Sequence, residues 1–229
     1  MKTLGMIGGI SWMSTMEYYR DINQGVNRHL GGSEYPPLAM YSINFARARD
    51  FAERGDWDGF LEFVAPIAGH LRDAGAEALL LCANTAHVLA DRLSERAGLP
   101  VINIIDATAA AIKAQGLTKV SLLGTRYTME MDFFSKRLAE RGVTAITPDL
   151  ADRDFIHDSI FNELTKGVLK PETKARYLDI IRALEKVGAQ GSILGCTEIP
   201  LLVKPDDLPM PLFDTTAIHV AAAVEFILG

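Results

Sequence analysis

"GAEALLLCANTAH" spans residues 75–87, and "GAQGSILGCTEIP" spans residues 188–200. Each opens on Gly-Ala, passes through a short apolar run and ends on a cysteine followed by polar residues. Such a run, bounded by turn signals, reads as a buried strand. Aligned from Gly75 and Gly188, Cys196 falls on Ala83, and Cys82 falls on Gly195. The chain therefore carries two copies of one strand–turn unit, with the thiol moved by one residue.

Other landmarks repeat in the same order. "KVSLLGTRYTME" (119–130) follows "KTLGMIGGISWMST" (2–15) in pattern: strand, glycine, tight turn, helix start. "MPLFDTTAIHV" (210–220) matches "INIIDATAAAI" (102–112), which lays Asp214 on Asp106, each read as a helix N-cap. Ordered self-similarity of this kind marks a duplicated architecture. Between the landmarks, β-rich runs alternate with helical patterns. "LAMYSIN" (38–44), "PVINII" (100–105) and "GVTAIT" (142–147) read as strands.

Met16, Tyr19, Ile22 and Val26 line a helix that begins near Ser14. Asp58 caps a helix whose inner face is Leu61, Val64, Ile67 and Leu71, with Pro66 as an interruption. "TAHVLADRLSERAG" closes at Gly98, with Pro100 beyond. A helix-rich stretch runs from Asp152 to Val187, with Pro171 at a first helical position and Gly188 just past the end. Alternating strands and helices predict an α/β fold with parallel sheets covered on both faces. The expectation is two similar four-stranded domains related by a pseudo-twofold: residues 1–105 plus 214–229, and residues 106–213. Ligands of such sheets sit beyond the carboxyl ends of strands. A cleft between the two halves, with equivalent strand ends face to face, is the expected site.

Composition narrows the function classes. The 229 residues are 48% apolar, ample for a packed core, and carry 29 acidic against 23 basic side chains, a net charge of −6. No long Lys/Arg run points to nucleic acid, and no apolar run is long enough to predict a membrane span. "MKTLGMIGGI" reads as a first strand, not a signal peptide. Two cysteines predict free thiols in a reducing cytoplasm, and cannot by themselves close a zinc site. "GMIGG" lacks the third glycine of a dinucleotide fingerprint, and "GTRYTM" lacks the P-loop lysine. No cofactor is expected.

A cysteine at a strand end, just before a helix, is expected to be a thiolate, because the helix N-terminus favours the anion. Such a sulfur can take a proton or attack an electrophile. The polar pairs that follow, Asn84-Thr85 and Thr197-Glu198, supply N–H groups and side chains for a carboxylate. The same donors stabilise the enolate left when a proton leaves the adjacent carbon. Cys196 follows Gly195 and opens a polar turn, whereas Cys82 follows three leucines and reads as core. His87 reads as a helix-face histidine.

"GMIGGISWMSTMEYYRDIN", "LCANTAH", "LLGTRYTMEMDFF" and "GCTEI" together resemble the aspartate/glutamate racemase family. The likeness runs the length of the chain and is closest to the bacterial L-aspartate/glutamate-specific branch, whose members are also labelled broad-specificity amino-acid racemases. It implies an enzyme independent of pyridoxal phosphate, built from two α/β domains, often homodimeric. Two residues, usually both cysteines, flank the substrate Cα and exchange its proton. The family's second cysteine maps to Cys196, and its first, directly before "NT", maps to Ala83. Some relatives in the L-specific branch carry threonine there. An introduced alanine, a water or a nearby hydroxyl such as Ser11 or Thr125 in its place, or one-sided chemistry such as decarboxylation would each account for Ala83. Arylmalonate decarboxylases resemble the same superfamily and keep a single cysteine in the second half. A non-catalytic amino-acid-binding protein is the alternative outside enzymes. For substrate anchoring the candidates are Gly9, Ile10, Ser11, Asn84, Thr85, Thr125, Thr197 and Glu198. Arg47, Arg49 or Lys166 is the expected cation for a second carboxylate.

Overall fold

A computed structural model describes all residues, 1–229, and they fall into two compact units: Met1–Asn103 with His219–Gly229, and Ile104–Ile218. The sequence reading sets the crossings at 105/106 and 213/214.

The first unit opens with β1 (Leu4–Gly8), α1 (Trp12–Leu30), β2 (Leu38–Ser42), α2 (Phe45–Arg54), α3 (Trp57–Asp73) and β3 (Ala78–Leu81). A 3₁₀ turn (Thr85–Leu89) and α4 (Ala90–Ala97) follow. The strands form a parallel sheet in the order β2-β1-β3. Strand alternation sends Leu79 and Leu81 to one face, among Val64, Ala68 and Leu93. Leu80 and Cys82 go to the other, among Tyr18, Ile22 and Val26 of α1. Burying each such leucine is worth roughly 1.5–3 kcal/mol, which fixes the register against a one-residue slip.

The second unit comprises α5 (Ile104–Ala114), β4 (Lys119–Gly124), α6 (Arg126–Glu130), α7 (Asp132–Glu140) and β5 (Thr144–Ile146). It continues with α8 (Leu150–Asn162), a 3₁₀ turn (Leu164–Lys166), α9 (Pro171–Lys186), β6 (Ser192–Gly195) and α10 (Ile199–Leu202). β7 (Leu212–Asp214) completes a parallel sheet in the order β5-β4-β6-β7, and the closing helix α11 spans Thr215–Leu228. Leu123 and Leu194 face one core, and Val120, Leu122 and Ile193 face another.

Several expectations are corrected. The fourth strand of the first half shrinks to a single bridge, Leu79 with Val101. Pro100 has no N–H to give, and α5 begins at Ile104, so little chain remains to pair. That early start also puts Asp106 inside the first turn of α5, where Arg137 and Arg141 grip it at 2.8–3.0 Å. Asp214 alone is a cap, accepting from Thr216 N at 2.9 Å and Ala217 N at 3.1 Å. Because Val101 and Leu212 hold equivalent pairings, Asp214 corresponds to Asn103, not Asp106. Helix α3 is capped by Asp56, which accepts from Gly59 N at 2.8 Å, not by Asp58. A side chain at 59 would crowd the Asp56 carboxylate, so the glycine lets it close in. Pro66 does not interrupt α3. Helix α1 starts at Trp12, capped by Ser11, two residues before Ser14.

Candidate active site

In the first unit the candidate residues collect at the carboxyl ends of β1, β2 and β3. Gly9 follows β1 with φ +87°, and a Cβ there would lie 2.1 Å from the Ile43 carbonyl oxygen. Only glycine fits this close approach of two strand ends. Its N–H donates to Thr15 Oγ1 at 2.8 Å. Ile10 and Ser11 are partly exposed beyond it. The Ser14 hydroxyl lies 3.1 Å from the Cys82 carbonyl and 3.0 Å from that of Ser11, so it pins the ends of β1 and β3 together. The sequence reading gave Ser14 only as a helix start and did not name Thr15. Their signal was a run of hydroxyls one turn into a helix.

Cys82 is fully buried on the α1 face, and burial alone pushes its thiol far up. Ala83 sits on the opposite face, as the period of two demands. Asn84 is buried and Thr85 partly so. Asn84 does not cap the following turn with its side chain. His87 turns back so that Nδ1 lies 2.9 Å from the Ala83 carbonyl. A carbonyl only accepts, so Nδ1 carries the proton.

The candidate cations stand on other elements. Arg47 and Arg49 are exposed on α2, the helix that follows β2. Arg49 Nε donates to Glu53 at 2.6 Å, while the Arg47 guanidinium lies 4.5 Å from the centre of the Phe63 ring. In the second unit Lys166 is exposed on a turn whose Leu164 packs in the same core as Ile199 and Leu202 of α10.

The second unit repeats the arrangement. Thr125 follows β4 directly and caps α6 as Ser11 caps α1, through Thr128 N at 3.4 Å. Gly124 pairs with Gly195 across β4 and β6, where Ile7 pairs with Leu81 across β1 and β3. Setting Gly8 on Gly124 therefore sets Cys82 on Gly195 and Ala83 on Cys196. Strand pairing within each unit thus reproduces the register read from the repeat.

Cys196 is half-buried, and its thiol donates to Glu198 Oε2 at 2.9 Å. Thr197 Oγ1 donates to the same oxygen at 2.6 Å, and both Thr197 and Glu198 are buried. Burial first, then the Glu198 carboxylate, raise the Cys196 thiol well above its ordinary range; the backbone N–H groups of Glu198 and Thr197 oppose this and lose. The expected thiolate is thus corrected to a thiol. Helix α10 has four residues, too short for a strong dipole to hold an anion. Glu198 is likewise engaged by the sulfur. His157, which the sequence reading missed, accepts from Arg126 N at 3.1 Å beside the Thr125 turn. Burial and Arg126 hold it below the ordinary histidine value.

The sequence profile of the Asp/Glu/Hydantoin racemase family matches residues 7–223. A Yersinia pestis structure, solved as a candidate Asp/Glu racemase, is 45% identical with a TM-score of 0.95 over all of both chains. A structure of an aspartate racemase homologue from Pyrococcus horikoshii OT3 is 36% identical with a TM-score of 0.86, again over both whole chains. The glutamate racemase of a Carnobacterium strain is 27% identical over 171 residues, 74% of this chain and 62% of its own length. The chain belongs to the Asp/Glu/Hydantoin racemase family.

Proposed function

We propose that this protein moves a proton at the Cα of an acidic amino acid, aspartate or glutamate, without a cofactor, and that Cys196 is its acid/base. The observation that carries the reading is the Cys196 thiol at a strand end, held 2.9 Å from Glu198 Oε2. The resting sulfur is a proton donor. When Glu198 takes that proton, the thiolate becomes the base that removes the Cα proton, and the Thr197 and Glu198 N–H groups lie beside the sulfur to support the charge. The thiol then returns a proton to the carbanion. The α-carboxylate, bound by the donors of the Thr197 turn, takes up the enolate charge. Thr125 caps the turn at the end of β4 in the same unit. Arg47, Arg49 and Lys166, all exposed, are the candidates for the side-chain carboxylate. The working state in this reading is a cytoplasmic homodimer.

Ala83 holds the position equivalent to Cys196 and cannot relay a proton. Catalysis by one thiol follows, with water serving the other face, so exchange of the Cα proton outruns inversion. This one observation also favours a second reading, a single-cysteine decarboxylase or isomerase of small dicarboxylates. In that chemistry the carbanion arises by loss of CO₂, and one protonation by Cys196 completes the reaction. Chiral chromatography of L-aspartate and L-glutamate, alongside CO₂ release from substituted malonates, separates the two. Slow appearance of the D-amino acid supports the racemase. CO₂ release without inversion supports the decarboxylase. Saturable amino-acid binding with neither reaction leaves only a binding protein.

A further inference from the structure

The two units support their first strand ends differently. In the first, the turn after β1 runs into α1, a helix of 19 residues. In the second, the turn after β4 runs into α6, which has five. So short a helix does not stand on its own hydrogen bonds, and α6 depends on what it touches. Its inner side rests on glycines. A Cβ at Gly124 would lie 3.1 Å from Thr128 Cβ, and one at Gly195 would lie 3.3 Å from Thr128 Cγ2. Thr128 is fully buried, and Gly195 directly precedes Cys196. The seat of α6 is therefore the backbone that carries the thiol.

The outer side of α6 is held by α8. The Arg126 N–H donates to His157 Nδ1 at 3.1 Å, and the Arg126 guanidinium donates to Asp154, one turn earlier on α8, at 2.9 Å. Glu130, at the far end of α6, lies 3.6 Å from Arg153. Both ion pairs are partly exposed and hold the helix loosely. The imidazole is fixed more firmly, with its ring edge-on to Tyr127 and Phe161 at centroid distances of 6.1 and 4.9 Å. An N–H only donates, so Nδ1 bears a lone pair, and the proton of the neutral ring is on Nε2. Protonation of Nδ1 would set two donors against each other and break the contact.

We propose that His157 is a positioning residue for Cys196: its neutral ring seats α6 against the strand end that carries the thiol, and its protonation unseats the helix. The ionised groups acting on the ring are Arg126 and Glu130 from α6, and Asp154 and Asp158 from α8. On α9, Arg176 is taken up by Asp152, and Lys166, on the turn after α8, is exposed. Burial first, and Arg126 second, outweigh the three carboxylates. The ring therefore stays neutral at 6.5, and the contact is lost as pH falls from there towards the lowered value. The role assigned to His157 in catalysis rests on the reading of Cys196 as the acid/base.

Nuclear magnetic resonance of the full chain tests the proposal with two variants. His157→Asn keeps an acceptor near the place of Nδ1 and cannot titrate, whereas His157→Phe keeps a ring and loses the acceptor. In the wild type the amide signals of Arg126 and Cys196 should both move with the midpoint of the His157 ring, and neither movement should survive in His157→Asn. Deuterium exchange at Cα of L-aspartate is the second readout. The wild-type kcat relative to that of His157→Asn should be level above 6.5. It should fall to about half at the His157 midpoint, where half the rings are protonated, with His157→Phe slow throughout. An Arg126 or Cys196 amide that ignores the ring, or parallel rate profiles for wild type and His157→Asn, would overturn the proposal. Absence of exchange from all three proteins would overturn the proton chemistry instead, and the two amide signals would still decide the role of His157.

Discussion

Glu198 holds the sulfur of Cys196 as a donor, and that contact governs when the thiol ionises. Its carboxylate raises the thiol, so Glu198→Gln should move ionisation to lower pH. The rate of iodoacetamide alkylation against pH reads this directly: the midpoint should fall in the variant, and an unchanged midpoint would separate Glu198 from the thiol's titration. At the equivalent position of the first unit, Ala83→Cys or Ala83→Thr should restore a second proton relay. A missing base typically costs ~10²–10⁴-fold, so racemisation measured by chiral chromatography should rise by a factor in that range. An unchanged rate would mean that residue 83 does not face the reacting carbon. The parity of a strand made the opposed orientations of Cys82 and Ala83 legible from sequence, because adjacent side chains alternate. The turn of Glu198 back onto its neighbour two residues away was not legible, since loop dihedrals leave no periodic trace.

At the scale of elements, the strands that carry the candidate residues were readable from their apolar runs. Their ends were less so. "PVINII" has a strand's composition, yet an early helix leaves only Val101 to pair. Composition records what can be buried, whereas the length of a ladder depends on where the next helix nucleates. The cap of α3 makes the same point. The sequence reading names Asp58, but Gly59 lets the Asp56 carboxylate close in on the helix start, and Asp56 is the cap. Asp56→Ala should cost about 1 kcal/mol in a urea melt. Asp58→Ala should change stability by less than about 0.5 kcal/mol, since Asp58 makes only an exposed ion pair with Arg92 at 2.7 Å. Equal effects would contradict the assignment.

At the scale of the whole molecule, the duplicated plan appears twice: three strands and a bridge in one unit, four strands in the other, each with its polar turns at the carboxyl ends. The closing helix α11 sends His219 into the core of the first unit. There His219 Nδ1 meets the Tyr18 hydroxyl at 2.9 Å, and Nε2 meets the Ile102 carbonyl at 2.7 Å. Burial first, and His87 second, hold it well below the ordinary 6.5. The unfolded chain therefore binds a proton that the folded chain refuses, and stability is lost as pH falls from 6.5 towards the lowered folded value. The melting temperature should decline across that window, and His219→Gln should flatten the slope; parallel slopes would remove His219 as the cause. The central claim remains that Cys196 transfers a proton at Cα, and deuterium exchange tests it most directly. In D₂O the wild type should place deuterium at Cα of L-aspartate or L-glutamate, and Cys196→Ala should lose that exchange. Exchange that persists at the wild-type rate in Cys196→Ala, or is absent from the wild type with bound amino acid, would contradict it.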